Sequence, residues 1–400
     1  MNEAYLDKRY SSFVISLLIL FPILINSVKI LGNLILLILF FLGAYIAITE
    51  SKNPFKIQEL KVFSWLTFSY FCVMLLSILI ADGLNAEFHH LGRKAHFLLA
   101  PLIALAIYQV NFPIKKLLLS IRIGTIIIGV IVITQFLLGS ARPSGMINAN
   151  IFGDIAVAML FLSVVQVFGE KPKEQIIAFV AIIAGVFAVF LSGSRGSWLS
   201  FIILSIVFIF LTYKPFLIDN KKRQSFVALF FVILFGFIGT QTDAGKKITD
   251  AIVNIQSWGD GGQTYTSSGI RMEMWESSLE AASKSPWFGY GYRNENKQVA
   301  KYVDNHSKTV AAFTHLHNEY LTNLLAGGIL GLLSLLALIF VPIAIFYKKL
   351  KNDKEAYYYA SMGILLCVGY ATFGFTHIAF GEEHLNAFYV LFLGFLLPKI

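Results

Sequence analysis

The feature that most constrains this chain is a succession of apolar runs, each roughly 17–25 residues long, separated by short polar stretches. A helix of that length crosses the hydrocarbon core of a bilayer, which is about 30 Å thick. Lipid offers no partner to backbone N–H and C=O groups, so a spanning segment is a helix or part of a closed barrel. The runs lack the apolar–polar alternation of barrel strands, which leaves helices. Composition agrees: 57% of the 400 residues are hydrophobic and only 14% are charged, far from a soluble domain.

Hydropathy predicts about twelve spans, near 12–28, 30–49, 62–81, 95–110, 117–138, 147–168, 175–192, 197–212, 225–240, 319–347, 356–380 and 386–398. The first two are separated by little more than Val28-Lys29, which implies a tight hairpin. Lys8-Arg9 precede the first run as in a signal peptide. No small-x-small cleavage site follows, so the run reads as a retained first helix. Cys72 and Cys367 both fall inside expected spans, give no disulfide framework or metal spacing, and read as small core residues.

Charge sets the orientation. Alternate loops, including Lys8-Arg9, Lys52 to Lys61, Lys115 to Arg122, Lys221 to Arg223 and Lys348 to Lys354, hold about 19 of the 32 basic residues, against about 5 in the short loops opposite. The positive-inside rule then predicts both termini in the cytoplasm. The net charge of +9 is accounted for by these loops and calls for no nucleic acid. The outer face receives Arg93-Lys94, Arg142, Arg195, Glu382-Glu383-His384 and one long loop of about 75 residues from Thr240 to Thr314. The expected organisation is nine spans over 1–240, an outer loop subdomain over 241–318 and three spans over 319–400, with no internal repeat.

Polar residues that carry chemistry cluster at that outer face. TYTSSGIRMEMWESSLEAASKSPWFGYG predicts a helix from about Gly269 to Ser283. Ser267 or Ser268 would cap it, and Ile270, Met274, Leu279 and Ala282 would form an apolar side against the bundle. Pro286 and the Gly289/Gly291 pair end it. Arg271 sits in its first turn, where a cation opposes the macrodipole at a cost of about a few tenths of a kcal/mol unless an anion shares the site. Either Glu273 or Glu276 compensates it, or it binds a phosphate-like group. Arg195, in LSGSRGSWLS, has the same character: a guanidinium among small residues at a helix N-terminus, either snorkelling to the interface or holding an anion.

FTHLHNEYL, residues 313–321, closes the long loop and opens the tenth span. His317 suits a general base, with an ordinary pKa of about 6.5. It equally suits an interfacial histidine bonded to backbone. A zinc site is a further alternative, but no H-E-x-x-H motif is present, and His384 with Glu382 or Glu383 would have to complete the sphere around the H-x-H pair His315 and His317. Arg142, in the turn ARPSGMINAN, is a fourth candidate, and Arg93 is a fifth, able to meet lipid phosphates. No P-loop, G-x-S-x-G or D-x-D pair is present. The spans hold almost no acidic residue beyond Asp154, which argues against a proton-coupled transporter.

These segments resemble the bacterial O-antigen ligase family. The arginine in a small-residue turn, the arginine opening a loop helix followed by KSPWFGYG, and HLHNEYLTNLLAGGILGLLSLL occur in the family's order and spacing. The resemblance runs from about Ala141 to Leu336, with a weaker match in hydropathy beyond. It implies an all-α, twelve-span, C-type glycosyltransferase-like fold with a large periplasmic loop, in the bacterial inner membrane. It also implies metal-independent inverting transfer of polysaccharide from an undecaprenyl diphosphate-linked donor to the lipid A–core oligosaccharide, with no cofactor. By that likeness Arg195 and Arg271 bind the diphosphate and His317 activates the acceptor hydroxyl, with Arg142, His315 and Arg93 as further candidates. An O-antigen polymerase or a protein O-oligosaccharyltransferase shares the donor and much of the pattern. A lipid-linked-oligosaccharide transporter is the distant alternative, and polar residues deep in repeated halves would mark it.

Overall fold

A computed structural model describes residues 3–83, 88–165, 167, 171–212, 267–303, 307–313, 315–350 and 354–400; these form α-helices and short 3-10 turns, with no strand among the described residues. In chain order the helices are α1 Glu3–Leu24, α2 Leu31–Thr49, α3 Gln58–Asp82, α4 Ala95–Tyr108, α5 Ile114–Leu137, α6 Ala149–Val164, α7 Pro172–Leu191 and α8 Arg195–Thr212. They continue as α9 Ser267–Lys284, α10 Glu295–Val299, α11 Ser307–Ala312, α12 Glu319–Lys349, α13 Lys354–Phe373 and α14 Glu383–Leu396.

Eleven of the twelve expected spans coincide with helices; the ninth, 225–240, and the first part of the long loop lie outside the described residues. Six helical segments are both long and apolar enough to cross a bilayer: Leu31–Thr49, Gln58–Asp82, Leu91–Tyr108, Ile114–Leu137, Pro172–Leu191 and Glu319–Lys349. This is a membrane protein. The outward faces of these helices are apolar too. On α2, Leu34, Leu37, Phe41, Tyr45 and Ile48 are exposed, while Ile35, Leu39 and Ile46 are buried on the other side. Such a surface is expected where the solvent is hydrocarbon.

Two of the shorter apolar helices are the most enclosed. Every residue of α14 from His384 to Leu396 is buried, and so is every residue of α6 from Ile151 to Val164. A helix that is apolar all round and packed on every side needs no lipid contact. At about 1.5 Å per residue, α14 is about 21 Å long, less than the hydrocarbon thickness. It packs against α4, α13, α2 and α6 and forms the axis of the bundle. Its N-terminal end therefore lies beside the loops that build the site.

The break in α12 positions the loop helix. Gly328 has φ 62°, ψ −155°, so the helix is interrupted there. The segment after α9 fills the gap: Tyr290 N–H donates to Leu325 O (2.7 Å), Gly291 N–H to Ala326 O (3.0 Å), and Ile329 N–H to Pro286 O (2.7 Å). PWFGYG thus satisfies backbone groups that the broken helix leaves open. A Cβ on Gly328 would lie 2.2 Å from the Trp287 carbonyl carbon, in a backbone region that L side chains rarely adopt. Gly328→Ala is expected to destabilise the protein by about 1–3 kcal/mol, read as a lower midpoint for thermal aggregation in detergent. Gly92→Ala, where a Cβ meets open space, is the matched control and should be near neutral.

Two details of α9 depart from expectation. It begins at Ser267, two residues before the expected start at Gly269. Leu279 is exposed, and Met274, Ser278, Ala281 and Ala282 form the buried face against α10 and α12. Small residues fit close to those helices; Leu279 falls on the opposite side of the turn.

Candidate functional site

The LSGSRG turn joins α7 to α8, with Gly193 at φ 65° and Arg195 as the first residue of α8. Its serines are consumed by packing. Ser192 Oγ donates to Val189 O (2.7 Å), and Ser197 Oγ lies 2.8 Å from Asp154 Oδ1 and 2.9 Å from Ser194 Oγ. All three serines are buried, whereas Arg195 is exposed. A Cβ on Gly196 would meet Thr376 Oγ1 at 2.1 Å. The small residues therefore serve helix contact, tying α8 to α6 and to the segment after α13, and leave the guanidinium at the surface of a cavity.

That cavity has a volume of about 330 Å³ and brings together Arg142, Arg195, Arg271 and His377. Three cations from sequence-distant turns converge on it, with Asp154, Asn150 and Thr376 completing the wall. Arg142 Nη2 donates to Asn150 Oδ1 (3.2 Å), and Asn148 Oδ1 caps α6 by accepting from Asn150 N–H (2.9 Å). Burial, with Arg195 adjacent, lowers the pKa of the Arg271 guanidinium. Guanidiniums held close against mutual repulsion form a site that an anion stabilises.

A histidine cluster adjoins the arginines. His315 Nε2 and His317 Nδ1 are 3.1 Å apart, and the His315 and His377 ring centroids are 5.7 Å apart. His317 has φ 52°, a left-handed backbone that costs a non-glycine residue about 1–3 kcal/mol. The neighbours hold it there: Trp275 Nε1 donates to Leu316 O (2.8 Å), and Asn318 caps α12 by accepting from Leu321 N–H (3.0 Å). Burial, then Arg271 and His377, push the His317 pKa down to about 4. Burial and Arg271 do the same to His377, also to about 4, and burial with His317 takes His315 to about 2. All three rings are neutral near pH 7. The His315–His317 contact leaves Nε2 of His317 available as a proton acceptor when its Nδ1–H donates to His315.

Glu319 lies next to this cluster in sequence but faces inward. It is buried, accepts from Phe380 N–H (2.9 Å) and Asn323 Nδ2 (2.6 Å), and lies 3.8 Å from Lys94 Nζ. Its own N–H donates to Gly374 O (2.8 Å). Glu319 thus fastens the His315–Asn318 turn to residues 374–380, the segment that carries Thr376 and His377. His384 is turned to the Lys29 carbonyl (2.7 Å). His384 and Glu382, which the zinc alternative would draw on, are thus engaged elsewhere, Glu382 with Arg93 (3.8 Å).

Of the residues singled out in the sequence, Arg142, Arg195 and Arg271 line one cavity, and His315 and His317 adjoin it. Arg93 does not join them: its guanidinium pairs with Glu382 (3.8 Å) and lines a neighbouring cavity. His377 and Thr376 are the residues that sequence reasoning missed. Hydropathy placed them inside the eleventh span, but α13 ends at Phe373, with Gly374, Phe375, Thr376 and His377 N–H groups closing turns back onto its last residues. The signal was present as a Thr-His pair in an otherwise apolar stretch.

Helices of membrane-spanning length and a cavity lined by three arginines and a histidine define a membrane protein that is helical throughout its described residues, with a cationic cavity between its turns. The chain belongs to the O-antigen ligase family, whose pattern matches residues 179–336 and takes in Arg195, Arg271, His315 and His317. A Haemophilus influenzae protein described as uncharacterized is 31% identical over 403 residues, 96% of this chain and 98% of that protein. The General O-oligosaccharyltransferase of Acinetobacter baylyi is 28% identical over 213 residues, 50% of this chain and 34% of its own length. The ComP-specific O-oligosaccharyltransferase of the same organism is 24% identical over 232 residues, 56% of this chain and 40% of its own length. The match thus spans less than half of either transferase.

Proposed function

We propose that this protein is an O-antigen ligase of the bacterial inner membrane, with both termini in the cytoplasm and the site facing the periplasm. It transfers polysaccharide from an undecaprenyl diphosphate-linked donor to the lipid A–core oligosaccharide. The observation that carries this reading is the convergence of Arg142, Arg195 and Arg271 beside three neutral histidines. Arg195 and Arg271 hold the diphosphate. His317 Nε2 takes the acceptor hydroxyl proton as that oxygen attacks the anomeric carbon from the face opposite the leaving group. The bond from the anomeric carbon to the phosphate oxygen breaks, its electron pair goes to the diphosphate, and the guanidiniums stabilise the developing charge. The anomeric configuration inverts. His377, neutral and buried, adds an N–H donor to the same cavity.

A second reading, transfer of the same donor glycan to a protein hydroxyl, is favoured by the two Acinetobacter relatives. Deleting the gene separates the two. A ligase leaves lipid A–core without attached polymer on a lipopolysaccharide gel, whereas a protein-glycosylating enzyme leaves the ladder unchanged. A core carrying a single repeat unit would instead mark a polymerase. The scheme uses no metal, and transfer is expected to persist in excess EDTA.

A further inference from the structure

A second cavity, of about 420 Å³, lies beside the arginine cavity and differs from it in chemistry. Its polar lining is Lys29, Arg93, Asn148, Glu382, Glu383 and His384. Glu382 and Glu383 offset the charge of Lys29 and Arg93, so this cavity, unlike the arginine cavity, has no surplus of cations to hold a diphosphate. Carboxylates, an amide and cations beside the apolar faces of Met146 and Ile151 instead suit a sugar ring, whose hydroxyls both donate and accept while its C–H face packs on apolar groups.

The two cavities share their walls. Arg142 and Asn150 line the first, Asn148 and Ile151 the second, and the Arg142–Asn150–Asn148 hydrogen bonds run through the partition. On the other side Thr376 and His377 face the first cavity, and Glu382 to His384 face the second, one 3-10 turn further on. Glu319 holds Phe380 of that turn and directly follows the His315–Asn318 turn. The second cavity is therefore fastened to both the arginines and the base. Its groups are also fixed before any ligand arrives: Arg93 spans Glu382 (3.8 Å) and Gly381 O (3.5 Å), and His384 is bonded to Lys29 O (2.7 Å).

We infer that the Lys29–Arg93–Asn148–Glu382–Glu383–His384 cavity is the subsite that binds the saccharide acceptor, apart from the diphosphate site. This inference rests on the glycosyl-transfer reading above. Met146, 68% exposed on the rim, allows a test that does not depend on turnover. A photoreactive benzoyl-phenylalanine at position 146 is irradiated in membranes containing lipid A–core oligosaccharide and undecaprenyl diphosphate-linked glycan, with the same group at the outward-facing Ile206 as control. Adducts carrying core saccharide at 146 and none at 206 are expected. Adducts at 146 that carry only undecaprenyl-linked donor or only protein, or no adduct at all, overturn the assignment. Met146→Trp, which narrows the cavity from its rim, should raise KM for lipid A–core at least tenfold and leave KM for donor within about twofold. A raised donor KM with an unchanged acceptor KM also overturns it. Transfer by the wild-type chain, assayed in the same membranes, separates the failures. Transfer without a saccharide adduct removes the subsite alone; a saccharide adduct without transfer leaves the subsite and removes the enzymatic reading.

Discussion

Replacing Arg195 with lysine is expected to lower kcat/KM for the lipid-linked donor by about 100-fold or more, and alanine to lower it further. Removing one preorganised group that stabilises transition-state charge costs about 10²–10³ in rate. Lysine keeps the charge but offers a point ammonium where the planar guanidinium presents paired donors to phosphate oxygens. The side chain is exposed at the start of α8, and the neighbouring packing is carried by Ser192, Ser194, Ser197 and Gly196, so the variant should insert and fold normally. Size-exclusion profile and protease resistance, measured alongside transfer, check that. A lysine variant within about threefold of wild type would remove Arg195 from the diphosphate site.

His317→Ala is expected to lose about 10²–10⁴ of the transfer rate, the usual contribution of a positioned general base. The wild-type pH profile supplies a second signature. With the His317 pKa lowered to about 4, the ring is predominantly the free base once the pH is a unit or more above that value. The rate is therefore expected to be flat from about pH 5.5 to 8 and to fall only as the pH drops through about 4, with no inflection near the ordinary 6.5. Stability follows the same sign. Between about pH 6.5 and 4 the unfolded chain binds protons that the folded His315, His317 and His377 refuse, so acidification across that window destabilises the folded state. A rate that halves near pH 6.5 at unchanged stability would contradict the desolvated cluster.

The site was legible to different degrees in the sequence, for identifiable reasons. Arg195 and Arg271 stood out because each opens a helix beside small or polar residues, Arg195 at the end of an apolar run and Arg271 within the long loop, and that is a local property. His315 and His317 stood out for the same reason. His377 did not, because where α13 ends depends on the turn after Phe373 and on the Gly374–Glu319 backbone hydrogen bond, and hydropathy alone continues the span through it. Arg93 resembled the other arginines locally; its partner Glu382 is 289 positions away and only folding pairs them. The small residues of LSGSRG that flank Arg195 are occupied by serine hydrogen bonds and the close approach of Thr376, which only the folded chain reveals.

The sequence by itself determined the class of fold: apolar runs of bilayer length without strand alternation admit only helices in lipid, and the polar residues with chemical capacity had to sit at the ends of those runs or in the loops between them. What only the tertiary structure decided is which ends meet. The burial of α14 at the bundle axis, the docking of PWFGYG into the break at Gly328, and the Glu319 contacts to residues 374–380 are long-range associations. They bring Arg142, Arg195, Arg271 and His377 to one cavity beside His317 and set a second cavity along its wall. Hydropathy and helix propensity act over one or two turns, whereas a site assembled from five separate turns depends on packing between segments that are far apart in the chain.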